Sequence, residues 1–204
     1  MNMKKFRTII ITCLAMFWPI SMFAQDISEQ VNIKEYDFSG FNVNGLEIGD
    51  YNKLYSEQDI IDAFGQPYSI SFDPGLGYLY DFGEDISEDK TDTQGILKNG
   101  RIHTVGLSFL RGYFNDDSCG PIPAIDIWDR NSCIVNGFIR VGDNVDKIKQ
   151  MGGHCIEYDY GDSSRFAGEL IWCPSGWGNA DWIVCPKFYF DSNRKIVLIS
   201  IWVY

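Results

Sequence analysis

Val135–Cys155 reads "VNGFIRVGDNVDKIKQMGGHC", and an earlier stretch, Val43–Pro67, reads "VNGLEIGDYNKLYSEQDIIDAFGQP". Both open on Asn-Gly, reach an apolar–Gly–Asp step, pass through a helix-like segment and stop at Gly. In the earlier stretch Ser56 and Asp59 form a helix cap, the Ser56 oxygen meeting the Asp59 backbone N–H. Ile60, Ile61 and Phe64 share one helical face, Gly65 offers a left-handed stop, and Pro67 prevents continuation. In the later stretch Asp143 or Asn144 can cap, and Val145, Ile148 and Met151 recur at three-residue spacing before Gly152 and Gly153 end the run. Helices of roughly two to three turns do not stand alone in water, so something flat must cover their apolar faces.

The flat element is written after each helix. Residues 95–109, "GILKNGRIHTVGLSF", hold Asn99-Gly100 between two extended segments, a two-residue hairpin signal. Val105, Leu107 and Phe109 then alternate onto one face. Residues 187–204, "KFYFDSNRKIVLISIWVY", repeat the plan with a turn around Asp191–Arg194, and Val197, Ile199, Ile201 and Val203 take the equivalent face. "SISFDPGLGYLYDFG" (69–83) and "IEYDYGDSSRFAGELIWCPSG" (156–176) read as further strands with Gly-rich turns. The expected fold class is α+β. It consists of two tandem repeats, each a short helix packed on an antiparallel β-sheet, with the sheets joined into one curved surface. Residues 25–118 make the first repeat and 119–204 the second, and Gly120-Pro121 and Pro123 punctuate a junction over residues 112–131. The acidic stretch Glu84–Asp92 is a solvated loop. A calcium-loop reading of it fails, because Lys90 stands where the glycine is required and no glutamate closes the loop.

Residues 1–24 read as a signal peptide. Lys4, Lys5 and Arg7 form a basic start, Ile9 to Ile20 a short apolar core, and "SMFAQ" offers cleavage after Ala24. The core is too short to span a bilayer, and no second apolar run of ~18 residues follows. Cys13 is poorly placed for acylation, with Thr12 before it. Of 204 residues 180 then remain, and the charge moves from −11 to −14 because three basic residues and no acids leave. Such a surface repels phosphate backbones and anionic lipids, which argues against nucleic acid or a membrane surface as partner. An exported chain meets oxidising conditions, so Cys119, Cys133, Cys155, Cys173 and Cys185 read as disulfide formers with one left over. No Cys-x-x-Cys suggests a metal site. His154 beside Cys155 makes no pair, since neighbours on an extended chain face opposite ways.

Taken together, an apolar–Gly step, a short helix ending in Gly, a cysteine, strands and an aromatic-rich final hairpin resemble the beta-lactamase inhibitor proteins. "VGDNVDKIKQMGGHC", "LIWC" and "KFYFDSNRKIVLISIW" carry the likeness best, and it covers most of residues 40–204. The same unit resembles the small lipoproteins of the outer-membrane assembly machinery, which carry one unit rather than two. The resemblance implies two sheets joined side by side into a concave surface that grips a partner protein. It also implies a Cys155–Cys173 disulfide. Cys119 and Cys133, around the junction, can then close a small loop and leave Cys185 over, with Cys173–Cys185 as an open alternative. The acidic loops and the cysteines at 119, 133 and 185 depart from the inhibitors, so inhibitor activity is not implied.

Catalytic signatures are missing: there is no Gly-x-Ser-x-Gly, His-Glu-x-x-His, Gly-Lys-Ser/Thr or dinucleotide fingerprint. His103 reads as a structural or rim residue on its strand. No metal or cofactor is expected, and the chain reads as non-enzymatic. The tryptophans point elsewhere. Trp172, Trp177, Trp182 and Trp202 cluster in the second stretch with Tyr189 and Tyr204, and alternation sets Trp202 with Ile196, Leu198 and Ser200 opposite the helix. Such rings either fill a second core or form an exposed platform, the residue class that dominates interface hot spots. With Lys187 beside Tyr189, they are the candidate binding residues. The expected function is a periplasmic or secreted, non-catalytic module that recognises a protein or peptide through an open sheet face. The rivals are an envelope scaffold that binds a cell-wall or outer-membrane component, and an enzyme with an unrecognised carboxylate site.

Overall fold

The computed structural model describes residues 40–85, 101–102, 105–112, 118–128, 133–161, 166–175 and 184–203. Residues 1–24, read above as a signal peptide, Asn99-Gly100, read as a hairpin turn, and His103 lie outside them. In chain order the elements begin with β1 (Asn42–Val43), β2 (Leu46–Glu47), β3 (Tyr55–Ser56), α1 (Glu57–Phe64), β4 (Ser69–Asp73) and β5 (Gly77–Asp81). There follow β6 (Glu84–Asp85), β7 (Arg101–Ile102), β8 (Val105–Phe109), β9 (Cys119–Gly120) and β10 (Ala124–Ile127). After a 3-10 helix (Val145–Met151) come β11 (His154–Asp159), β12 (Gly168–Cys173), β13 (Lys187–Phe190) and β14 (Ile196–Trp202).

Eight strands form one sheet in the order β11-β12-β13-β14-β10-β8-β5-β4, each neighbouring pair antiparallel. The expected class of two tandem helix-on-sheet repeats is therefore wrong: the described chain is mostly one continuous antiparallel sheet. Two physical reasons account for the difference. First, the supposed junction contains β10, a central strand bonded to β8 on one side and β14 on the other. Pro121 and Pro123 precede that strand rather than interrupt it, a position where a missing N–H is tolerated. Their carbonyls still accept, from Leu110 N (3.1 Å) and Val203 N (3.0 Å). Second, the Val145–Met151 segment is 3-10, not α. Its three-residue apolar spacing is the period of that tighter helix.

The first helix forms as its caps dictate. Asp59 N donates to Ser56 Oγ (3.2 Å), Ser56 N donates to Asp59 Oδ2 (2.7 Å), and Gly65 closes the helix with φ at 87°. Ile60 of α1 and Val145 and Ile148 of the 3-10 helix bury against one side of the sheet. There the row Tyr80–Leu107–Ile125–Ile201 crosses four strands and meets a second row that includes Leu170 and Phe188. Val105, Leu107, Phe109, Ile199, Ile201 and Val203 all lie in this core, on the face their alternation predicts. Val197 does not. The register slips between Tyr189, opposite Leu198, and Phe190, opposite Ile196. An extra residue on one strand reverses which way the chain before it faces, so Ile196 fills the core and Val197 is half-buried.

Candidate binding face

The side of the sheet opposite α1 carries the candidate site. Register sets Ser71, Leu79, Ser108, Ala124 and Trp202 in one row across β4, β5, β8, β10 and β14. The adjacent row runs Ser69, Asp81, Gly106, Asp126, Ser200 and Lys187. Residues opposite one another in an antiparallel pair project from the same face, so the middle of both rows is floored by small side chains. Over that floor lies a cavity of about 630 Å³, lined among others by Gly106, Ser108, Ala124, Asp126, Trp128 and Trp202. This is within the range of roughly 300–1,000 Å³ that small-ligand sites occupy.

Gly106 is the unusual member of the floor. A glycine inside a strand weakens it and commonly marks a close approach of another backbone or a ligand. No described atom stands within 4 Å of the position a Cβ would take there, and no left-handed φ requires glycine. Ser108 and Ala124 are buried.

Asp126 stands at the cavity with its hydrogen bonds on one oxygen. Ser200 Oγ (2.5 Å) and Trp202 Nε1 (3.0 Å) both donate to Asp126 Oδ1. Burial raises its carboxyl above the ordinary range, and these two donors work against that rise. Among the described residues no Lys, Arg or His forms an ion pair with it. Beyond Trp128 the aromatic surface continues, with Phe166 at 6.3 Å from Trp128 and 4.8 Å from Tyr189, centroid to centroid. Burial, followed by the charge of Glu169, pushes the Tyr189 hydroxyl up to about 12.

Of the residues singled out from the sequence, Lys187, Tyr189 and Trp202 share this face, and Trp202 is 44% exposed. Trp172 does not belong with them. Its register partner in β11 is Cys155, and its ring lies on the helix side against Phe41, 6.3 Å between centroids. Its Nε1 donates to Gly152 O at 2.8 Å, so it is a core residue that ties β12 to the end of the 3-10 helix. Trp177, Trp182 and Tyr204 lie outside the described residues. Asp126 and Trp128 escaped the sequence reading because they fall within residues 112–131, read as a junction, and Gly106 because alternation on its strand draws attention only to the core-facing Val105, Leu107 and Phe109. A lone Asp in the apolar run "AIDIW" was the available signal.

Neither expected disulfide is present. Cys155 is a free thiol opposite Trp172, whereas Cys173 stands opposite His154. The two cysteines are thus one position out of step on adjacent strands and leave opposite faces. Burial raises the Cys155 thiol. Cys119 is likewise a free thiol, held in β9 opposite Ser56, while Cys133 is buried in the core cluster.

Among the described residues no group of three His, Cys, Asp or Glu is placed to hold a metal ion, and no helix is long and apolar enough to cross a membrane. Comparison with known proteins finds no matching family model, no matching curated protein and no matching solved structure.

Proposed function

We propose that this chain is an exported, non-catalytic binding module that holds a segment of a protein or peptide in the trough opposite α1. The observation that carries the reading is Gly106, which sits in the interior strand β8 with no described atom within 4 Å of where a Cβ would be. Among the described residues no left-handed backbone or packing contact accounts for it, and access to the trough is the physical use that this supports. The neighbouring Trp128 and Trp202 suit such a role, since large rings bury much area at little cost in side-chain entropy.

A Gly106→Val variant tests it. Valine favours a strand, its Cβ would meet no described atom within 4 Å, and its methyls would project into the trough. Peptides selected from a random phage-displayed library on the unmodified protein should lose binding to the variant by tenfold or more. Peptides that bind both proteins equally, or a selection that enriches nothing, would sink the proposal.

A carboxylate-based glycan hydrolase is the second reading, and one observation favours it. Asp81 and Asp126 stand in one row with Gly106 between them, two strand spacings or roughly 10 Å apart at Cα. Paired carboxyls of inverting glycosidases lie about 6.5–9.5 Å apart. Sugar release from a glycan panel that disappears in Asp126→Asn would favour this reading over simple binding.

A further inference from the structure

The occupant of the trough can be named by its chemistry, and this step rests on the binding reading above. We infer that the trough takes a partner peptide through a lysine or arginine side chain, whose cationic end sits at the Asp126 carboxylate in the cavity that Trp128 and Trp202 also line.

Three observations support this inference. Asp126 is half-buried at the cavity, where burial raises its carboxyl, yet no described cation neutralises it. Partial desolvation of a carboxylate that has no partner cation is unfavourable, and a bound cation offsets it. Both described donors to Asp126 use Oδ1, so the other oxygen keeps its acceptor capacity for an incoming N–H. Asp81, in the same row beyond Gly106, adds a second carboxylate to the lining. The surroundings also suit a cation. Indole faces attract ammonium and guanidinium groups, and the aliphatic stems of Lys and Arg cover apolar surface such as the half-buried Leu79. A chain with net charge −11 draws basic partners toward it at long range. An acidic peptide would meet Asp126 as a like charge, which disfavours it.

The test uses the full purified chain and fluorescein-labelled alanine-rich heptapeptides whose central residue is Arg, Lys, Gln or Leu, titrated by anisotropy at 0.15 M salt. Four proteins are compared: unmodified, Asp126→Asn, Gly106→Val, and Asp62→Asn on the exposed side of α1 as a control for general charge. The Arg and Lys peptides should bind at least tenfold tighter than the Gln and Leu peptides. Asp126→Asn should abolish that preference and Asp62→Asn should leave it. Equal binding of all four peptides that Gly106→Val removes would overturn the cation inference while the trough stands. Equal loss in Asp62→Asn and Asp126→Asn would reduce the effect to general charge and overturn the inference too. Failure of every peptide to bind, or binding indifferent to Gly106→Val, would overturn both readings.

Discussion

Asn44 and Asn136 hold one another's strands in the same way. The Asn44 Oδ1 accepts from Ile134 N at 2.9 Å, and the Asn136 Oδ1 accepts from Asn42 N at 2.7 Å. Asn44 N donates to Ile134 O and Asn136 N to Asn42 O, and Val43 and Val135 form an antiparallel bridge between them. Both asparagines sit at φ 50°. The two Asn-Gly phrases of the sequence are thus the two halves of one clasp. Asparagine tolerates this conformation, whereas alanine pays about 1–2 kcal/mol for it and leaves a backbone N–H unpaired at about 1–3 kcal/mol. Asn136→Ala should therefore lose about 3 kcal/mol in urea denaturation. Asn136→Gly, which keeps the conformation but not the acceptor, should lose less by about 1 kcal/mol. Combining Asn44→Ala with Asn136→Ala should cost less than the sum, because both belong to one clasp. Equal small losses for Ala and Gly would refute the role given to the side-chain oxygen.

Two tryptophans separate the core from the candidate face. Trp172→Ala should destabilise by about 3–5 kcal/mol, since it empties a packed site against Phe41. Trp202→Ala removes an exposed ring and one hydrogen bond to Asp126, and should cost about 1 kcal/mol. Thermal melting ranks them directly, and a loss at Trp202 as large as that at Trp172 would make the face a second core.

Asp126 should make the protein less stable at neutral pH than it could be. Its folded carboxyl is raised, so the folded state holds the proton more tightly than the unfolded state does. Stability then falls as pH rises from the unfolded value near 3.8 through the folded value. Asp126→Asn keeps an acceptor for Ser200 and Trp202 but does not ionise. The variant should melt higher than the unmodified protein at pH 7, and the gap should close below about pH 4. A variant that melts lower at pH 7 would contradict a strained carboxylate.

Arg194 links two acidic groups on the opposite side of the sheet's end. Its Nη2 reaches Asp146 Oδ1 at 3.0 Å and its Nη1 reaches Glu157 Oε1 at 2.7 Å. Its hydrogen bonds, followed by that of Lys149, hold the Asp146 carboxyl down at about 2. A depressed carboxyl stabilises above its unfolded pKa and loses that contribution as pH falls through the folded one, here between about 4 and 2. All three side chains are exposed, so Arg194→Gln should cost less than ~1 kcal/mol at pH 7. Acid titration of the melt should show the difference shrinking over that window, and a difference that persists unchanged at pH 2 would point to packing instead.

Oxidation should link Cys173 to Cys185. Ile171 pairs with Lys187, and Trp172 N donates to Pro186 O at 3.0 Å, which carries the same register on to Cys173 opposite Cys185. Both are buried. Closing a loop of this size stabilises by about 3 kcal/mol in the chain-entropy model. Peptide mapping without reduction should recover a 173–185 link, and a 155–173 link would overturn the register argument.

The sequence by itself determined what is local. Ser56 with Asp59 names the start of α1, Gly65 names its stop, and the alternation at Val105, Leu107 and Phe109 names a core face. Each of these rests on interactions within a few residues, where spacing and side-chain chemistry suffice. Only the tertiary structure decided how many sheets there are, because that depends on which distant strands pair. Ala124–Ile127 joins β8 to β14 across a span that the two prolines before it made look like a break. The bulge before Leu198 turned Val197 out of the core and Ile196 into it, a slip of one residue that alternation alone does not reveal. The candidate site belongs to the same class. Gly106 and Asp126 are ordinary strand residues in the sequence, and they become the floor of a cavity only because register brings β8 and β10 side by side.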